Sequence, residues 1–311
     1  MVTGKGGVGK STVSAALALC AARRGKKVLV CEINAKERVA PLLGHAPAGP
    51  EIKELEPGLF AIDVRPADAM REYALMKLKF ETIYNAVFEN RFVKAFLRLI
   101  PSLAETVLLG KVWFEVEAMD GERPRWDLVI MDAPATGHGI TFLRVPQVLL
   151  RTIPPGPMRD EAERMNQTLT DATVTSLQIV TLLEEMPVNE TLELEAQVRD
   201  SLGIPLGALF LNAFVARRFA EDEVPRLRAL RQRLAEGELS PETAAGASGA
   251  HQADRAEMSA YYRRKLEVEI PRMPQVILPR IYTPEWGRKE VEQLSAAIDA
   301  QLETAQLGTG V

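Results

Sequence analysis

The sequence predicts an α/β fold in which helices cover both faces of a mostly parallel sheet. Two observations support this prediction. Short apolar runs, typical of buried parallel strands, alternate along the chain with helical patterns. Four of these runs end in polar residues, and the carboxyl ends of parallel strands form the edge where ligands bind. The apolar runs are 27–31, 59–64, 126–132, 177–183 and 206–212, and the polar residues are Asn34, Asp132, Glu184 and Asn212.

A phosphate-loop motif follows directly after the first predicted strand, Met1 to Thr3. Residues 4–12 read GKGGVGKST and match the pattern G-x-x-x-x-G-K-[ST]. Glycines let the loop turn tightly so that its N–H groups point at phosphate oxygens, and the following helix adds a favourable dipole. We expect Lys10 to contact the β- and γ-phosphates and Ser11 to bind Mg²⁺, which makes the chain a P-loop NTPase. The predicted nucleotide-binding residues of the loop are Gly4, Gly6, Gly7, Val8, Gly9, Lys10, Ser11 and Thr12.

A second motif, which contains an acid, is predicted at the end of the strand WDLVIMD, where Asp132 is the last residue. Its position is that of a Walker B acid, which holds a water bound to Mg²⁺. The following residues 133–139 (APATGHG) are predicted as a loop that senses the γ-phosphate, with a helix from 140 to 150. His138 in this loop is either a nucleotide contact or a structural histidine.

A helical insertion is predicted at residues 67–118 within one ATPase domain that spans residues 1–311. Apolar residues recur there at spacings of three and four, for example Phe88, Phe92, Phe96 and Leu99. Such a stripe is normally core, and the alternative is a groove for an apolar client or a membrane-associated partner. Elsewhere we predict loops at 44–58 and 236–250, a last strand at 275–278 and a final helix at 285–304.

Composition narrows the possible partners and compartments. The net charge of −4 gives no sign of a nucleic-acid-binding surface, and no apolar run is long enough to span a bilayer. The final helix is acidic on balance, which argues against a basic membrane-binding helix of the ParA/MinD kind. Cys20 and Cys31 suit small core residues. These features predict a cytoplasmic protein.

Four stretches together resemble the ArsA-type ATPases along nearly the whole chain. They are VTGKGGVGKSTVSAALAL, DLVIMDAPATGHGITFLRVP, VTLLEEMPVNETLEL and LFLNAF. The loop form K-G-G-x-G-K-[ST] resembles a deviant Walker A motif, whose extra lysine, here Lys5, reaches the nucleotide of a partner subunit. The resemblance implies ATP/ADP and Mg²⁺ as ligands and either a homodimer or a heterodimer with a paralogue. It also implies that Asn212 recognises adenine and that Pro279, Arg280 and Ile281 close the base pocket.

The sequence departs from this family in three places. It lacks the clustered cysteines of arsenite-binding members and the C-x-x-C pair that holds zinc in eukaryotic targeting members, so neither site is expected. In addition, Asn34 stands where hydrolysing members carry the aspartate that positions the attacking water. An amide orients water but cannot accept its proton, so we expect slow ATP hydrolysis. Glu32 lies two residues back and is the candidate substitute. The alternative is a non-catalytic ATP-binding subunit that regulates an active paralogue.

Overall fold

The structure is a computed structural model that describes residues 1–33, 36–78, 103–134 and 136–308. Within these residues the strands are β1 (Val2–Thr3), β2 (Val28–Ile33), β3 (Lys53–Glu56), β4 (Leu59–Val64), β5 (Met119–Asp120), β6 (Arg123–Pro124), β7 (Leu128–Asp132), β8 (Leu177–Leu182), β9 (Leu206–Phe214) and β10 (Gln275–Pro279). Eight of them form one sheet in the order β10-β9-β8-β1-β7-β2-β4-β3, and β5 pairs with β6 in a separate hairpin.

The sheet is parallel except at one edge, where β3 pairs antiparallel with β4. The short strand β1 lies between β7 and β8, so the loop that follows it emerges from the middle of the sheet. Because the strands run parallel, their carboxyl ends share one edge with that loop. The predicted α/β fold with a mostly parallel sheet is confirmed.

Helices lie on both faces of the sheet. They are α1 (Lys10–Arg23), α2 (Val39–Leu42), α3 (Pro66–Leu78), α4 (Leu103–Val116), α5 (Thr136–Thr152), α6 (Pro157–Thr170), α7 (Glu185–Gln197), α8 (Val224–Ala235), α9 (Pro241–Glu269) and α10 (Arg288–Gly308). A π-helical turn at Val198–Leu202 extends α7. None of the described helices is both long enough and apolar enough to cross a membrane.

Each face of the sheet has its own apolar core. On one face α1 and α10 pack against the sheet, with Val13, Leu19 and Leu294 among the residues that are almost completely buried. On the other face α4, α5, α6 and α7 cover the strands, and Phe142 and Leu194 are buried there. Burial on both faces explains why the strands read as continuous apolar runs rather than alternating patterns.

Two predicted loops contain regular structure. Residues 44–58 include β3, which pairs along β4 at the edge of the sheet although its sequence KELE has no apolar alternation. Residues 236–250 include the first turns of α9, where Ser240 caps the helix through the N–H of Thr243 and Pro241 occupies the first turn. The small residues that suggested a loose loop instead allow close packing of α9 against α8.

Only the ends of the predicted helical insertion at 67–118 are described. It starts with α3 and finishes with α4, and these two helices pack against each other. Lys111 on α4 donates to Glu72 on α3 at 2.8 Å and to the buried Glu115 at 2.8 Å. The apolar stripe with Phe88 to Leu99 lies outside the described residues.

Candidate nucleotide-binding site

The phosphate loop occupies the position that its motif requires, between β1 and α1. Gly4 and Gly9 both have positive φ angles, 147° and 95°. A Cβ atom at Gly4 would lie 2.2 Å from the carbonyl oxygen of Val180, and one at Gly9 would lie 2.3 Å from Nδ2 of Asn212. Glycine is therefore required at both positions by backbone conformation and by close neighbours. Gly6 is exposed in the loop and Val8 is buried beneath it.

The two lysines of the loop point to different partners. Lys10 donates from Nζ to the carbonyl oxygen of Lys5 at 3.0 Å, and burial lowers the pKa of Lys10 while Asp132 raises it. Lys5 itself forms an ion pair with Glu190 on α7. In the monomer, therefore, Lys10 lies at the cleft and Lys5 is held by an acid of its own chain.

Asp132 lies at the carboxyl end of β7 and is 6% exposed. Ser14 donates from Oγ to its Oδ1 at 3.2 Å, and the hydroxyl of Ser11 is close enough to favour the ionised carboxylate. Burial raises the pKa of Asp132, whereas these two hydroxyls and the positive charges of Lys10 and Arg38 lower it. The motif analysis identified Ser11, but it missed Ser14, which lies on the same face of α1 one turn later.

These side chains suit Mg²⁺ chemically. The hydroxyl of Ser11 and the carboxylate of Asp132 supply oxygen ligands, the type that Mg²⁺ prefers, and both line the same cleft. A pair of ligands is typical of Mg²⁺ sites that are completed by phosphate oxygens and water. Within the described residues no group of three His, Cys, Asp or Glu side chains forms a metal site.

An open cleft of about 840 Å³ lies over the loop and the end of the sheet. From the motifs it includes Gly7, Gly9, Lys10, Ser11, Thr12 and Asp132, together with the neighbours Ala133 and Pro134. The segment after β2 also contributes Lys36, Glu37 and Arg38, and Trp286 comes from the distant C-terminal region. The place of residues 36–38 agrees with their position after a strand end, which faces the ligand crevice. Trp286 is brought there by the chain fold, and no local motif marks it.

Glu32 is buried near the cleft and faces Asp132 across the β2–β7 pair. Its Oε1 accepts the backbone N–H groups of Arg38 and Val39 at 2.6 and 3.1 Å, whereas its buried Oε2 has no partner. Burial raises the pKa of Glu32 to about 7, although the two backbone bonds act in the opposite direction. One oxygen of the candidate substitute acid is thus engaged by the backbone.

Two predicted site residues cannot be placed by their side chains. Asn34 and its neighbour Ala35 lie outside the described residues. His138 lies in the first turn of α5, because this helix begins at Thr136 rather than at Ile140, and its side chain is outside what the structure describes. The roles of Asn34 and His138 stay predictions.

Asn212 lies on β9 and the segment 279–281 at the end of the neighbouring strand β10, and their contacts differ. Asn212 donates from Nδ2 to the carbonyl oxygen of Val8 at 2.8 Å, and its Oδ1 accepts the N–H of Ala213. Pro279, Arg280 and Ile281 line a separate cleft between β10 and α10. Adenine recognition by Asn212 stays a prediction, and it requires the carboxamide to exchange these internal bonds. Glu184, the remaining strand-end residue, forms an ion pair with Arg255 on α9 at 2.9 Å.

Comparisons with known proteins agree with this site. A family model described as anion-transporting ATPase (ArsA ATPase) matches residues 1–154, which contain the loop and Asp132. ATPase BagA of Mycobacterium tuberculosis is 30% identical over 251 residues, covering 78% of this chain and 71% of its own length. The chain belongs to the ArsA-type ATPase family.

Other members of the family match smaller shares of their own length. The arsenical pump-driving ATPase of Acidiphilium multivorum is 26% identical over 251 residues, which is 71% of this chain and 40% of that protein. ATPase ASNA1 homolog 1 of Paramecium tetraurelia is 26% identical over 152 residues, 48% of this chain and 43% of that protein. Membership places this ArsA-type chain among the nucleotide-binding ATPases and confirms the resemblance drawn from its motifs.

Proposed function

We propose that this chain is a dimerising ATPase of the ArsA type whose bound nucleotide controls the binding of a partner or client. The observation that carries the proposal is the convergence of Lys10, Ser11 and Asp132 on one cleft behind the phosphate loop. Loop N–H groups and Lys10 bind the phosphates of ATP or ADP. Ser11 and Asp132 hold Mg²⁺, which neutralises phosphate charge when it is bound. We place this activity in the cytoplasm because the protein needs a supply of ATP.

We further propose that the isolated chain hydrolyses ATP slowly. Position 34 carries an amide instead of a carboxylate, and the loss of a general base costs about 10²–10⁴-fold in rate. Glu32 is poorly suited to replace it because its Oε1 is bonded to the backbone at Arg38 and Val39. The same two observations favour the second candidate function, a non-catalytic ATP-binding subunit of a heterodimer with an active paralogue.

Steady-state ATP hydrolysis by the wild type and by Asn34→Asp tests this proposal. Mg-ATP binding is measured for both proteins, and Asn166→Asp on α6 is the control for the added charge. We expect a nearly silent wild type, a clear gain for Asn34→Asp and no gain for the control. Rapid turnover by the wild type alone would show that another group positions the water. If the wild type stays silent until a paralogue is added, the regulatory-subunit function is supported.

Lys5 is proposed to act across the dimer interface, which requires its ion pair with Glu190 to open. The side chains are 25% and 36% exposed, and ion pairs of this kind contribute only about 0–1 kcal/mol. The free-energy cost of breaking the ion pair is therefore small when Lys5 moves to ATP on a partner subunit. The pair keeps Lys5 close to the loop until such a nucleotide is present.

Analytical ultracentrifugation with a slowly hydrolysed Mg-ATP analogue tests the role of Lys5. We expect the wild type to dimerise with the analogue and Lys5→Ala to stay monomeric. Glu190→Gln releases Lys5 and should dimerise at a lower protein concentration. Equal dimerisation of Lys5→Ala and wild type would exclude the trans contact, and dimers that form only with a paralogue would identify a heterodimer.

We propose residues 67–118 as the region that binds a partner or client. An apolar groove of about 410 Å³ between α3, α4, α5 and α6 supports this, with Met70, Trp113, Phe114 and Met158 among its lining residues. Phe114 and Met158 are 42% and 58% exposed, so this apolar surface is accessible. The chemistry fits an apolar or membrane-protein client, and cross-linking from position 114 in the ATP and ADP states would test it.

A further inference from the structure

A basic side chain to which the motifs assign no role lies at the cleft of the phosphate loop, on the segment after β2. Arg38 lines the same cleft as Gly9, Lys10 and Asp132. Its positive charge is also among the causes that favour the ionised form of Asp132, which is an independent sign of proximity. Arg38 therefore lies at the cleft, near Asp132.

Glu32 fixes the backbone of Arg38 at this place. The carboxylate accepts the N–H of Arg38 at 2.6 Å and the N–H of Val39 at 3.1 Å, and Glu32 is 1% exposed. Glu32 also lies opposite Asp132 in the sheet register. A rigid, buried residue of β2 thus ties the start of α2 to the strand end where Asp132 lies.

Within the described part of the chain the Arg38 side chain forms no hydrogen bond or ion pair with an acid, and its positive charge acts on Asp132 only from a distance. Glu37, one residue before, accepts the N–H of Gly49 at 3.1 Å and lies 3.5 Å from Arg65. Arg65 pairs in turn with the buried Asp63 at 2.5 Å. The acids beside Arg38 are therefore already occupied, and its guanidinium is exposed toward the cleft.

We propose that Arg38 binds the γ-phosphate of ATP in cis and that Glu32 is the positioning residue that holds it there. The inference deepens the proposed function and rests on it. A guanidinium presents five N–H donors in a planar fork that matches phosphate oxygens, and the γ-phosphate carries charge that ADP lacks. Arg38 thereby makes the chain prefer ATP to ADP and couples α2 to the nucleotide state.

Equilibrium binding of Mg-ADP and of a slowly hydrolysed Mg-ATP analogue tests the role of Arg38. We expect Arg38→Ala to weaken binding of the ATP analogue about 10-fold or more and to leave ADP binding within about two-fold. Arg38→Lys should retain part of the preference, because a lysine keeps the charge but not the fork. Arg226→Ala, an exposed arginine on α8, is the matched control and should change neither affinity.

Two variants of Glu32 test the positioning role. Glu32→Gln keeps an oxygen that accepts the two N–H groups and should preserve the ATP preference, whereas Glu32→Ala should lose it as Arg38→Ala does. Normal affinity for ADP shows that Glu32→Ala is folded. If Glu32→Ala does not fold, the inference is judged from the ATP and ADP affinities of the Arg38 variants. An unchanged ratio of ATP to ADP affinity in Arg38→Ala overturns the inference. A wild type that binds neither nucleotide overturns the proposed function instead.

Discussion

At the scale of single residues, burial sets the charge state of the acids beside the cleft. Asp132 and Glu32 face each other across neighbouring strands and are both almost completely buried. Burial raises the pKa of each carboxyl group. The hydroxyls of Ser11 and Ser14 act against this for Asp132, and the backbone N–H groups of Arg38 and Val39 act against it for Glu32. The two acids thus differ in their contacts: Asp132 accepts from Ser14 of α1 and lines the cleft, and Glu32 is tied to the backbone.

The raised pKa of Glu32 predicts a dependence of stability on pH. Its pKa is about 7 in the folded protein and 4.5 in the unfolded chain, so the folded state binds more protons between these values. The contribution of Glu32 to the free energy of unfolding is therefore full below about pH 4.5, falls as the pH rises to 7 and stays low above. Glutamine does not titrate, so Glu32→Gln does not lose this contribution as the pH rises. We expect the free energy of unfolding of Glu32→Gln, measured relative to the wild type, to increase by up to about 3 kcal/mol from pH 4.5 to 8.

Denaturant unfolding of both proteins at several pH values measures this difference. Titrating groups far from Glu32 cancel in the comparison because they are common to the two proteins. A difference in the free energy of unfolding that stays constant from pH 4.5 to 8 would mean that the pKa of Glu32 is the same in the folded and unfolded states.

At the scale of elements, the pairing of α8 with α9 depends on small residues. Gly246 and Gly249 of α9 are buried against Leu230 and Leu227 of α8. A Cβ atom at Gly246 would lie 2.3 Å from Cβ of Leu230, a position fixed by the helix backbone, whereas at Gly249 it would meet only side-chain ends at 3.1 Å or more. Gly246 therefore sets the distance between the two helices.

Gly246→Ala is expected to destabilise the protein although alanine favours helices by about 1 kcal/mol over glycine. Overpacking of this kind costs about 1–3 kcal/mol, because the two helices must separate. Chemical denaturation measures the change in the free energy of unfolding. Ser248→Ala, at an exposed position of the same helix, is the control and should be neutral or slightly stabilising. A gain in stability for Gly246→Ala would show that α8 moves away at little cost.

At the scale of the whole molecule, the C-terminal helix joins distant parts of the chain. On α10, Leu294 is fully buried on the face shared with α1, and Asp299 accepts from Arg24 at the end of α1 at 2.6 Å. Gln301 binds the backbone N–H and C=O of Ile277, both at 2.9 Å, and so covers the free edge of β10. Trp286, just before α10, lines the nucleotide cleft, so this helix links the core to the site.

Leu294→Ala should lower the free energy of unfolding by about 2–5 kcal/mol, since it leaves a cavity between α10 and α1. Leu302→Ala provides the control on the same helix, because Leu302 is 39% exposed and should cost far less. Thermal or denaturant unfolding followed by circular dichroism gives both values. Similar losses for the two variants would mean that α10 is not a fixed part of the folded core.

Nucleotide binding should stabilise the whole fold, because the loop, β7 and the segment after β2 all meet at the cleft. At a Mg-ATP concentration of 100 times Kd, the expected gain is about 2.7 kcal/mol, seen as a higher Tm. Lys10→Ala should abolish most of this shift while leaving the Tm of the free protein almost unchanged. Removal of Mg²⁺ by a chelator should reduce the shift for the wild type. A shift that is the same with and without Mg²⁺ would argue against the cation site at Ser11 and Asp132.

The sequence by itself determined the fold class, the loop at residues 4–12, the acid at Asp132 and the family. These features depend on local chemistry: buried strands need apolar runs, and a tight phosphate loop needs glycine at fixed spacing. The departure at Asn34 is likewise visible in the sequence alone, because it concerns which functional group a single residue carries.

Only the tertiary structure decided which side chains meet at the cleft and which are held elsewhere. Arg38 and Trp286 come to the cleft from separate parts of the chain, and the buried Ser14 of α1 bonds to Asp132; no local pattern marks Trp286 or Ser14. The pair of Lys5 with Glu190 and the bonds of Asn212 to the loop join residues 185 and 204 positions apart. The first turns of α9 were predicted as a loop for the same reason. The small residues of 236–250 allow close helix packing, but this is visible only when α8 lies against them.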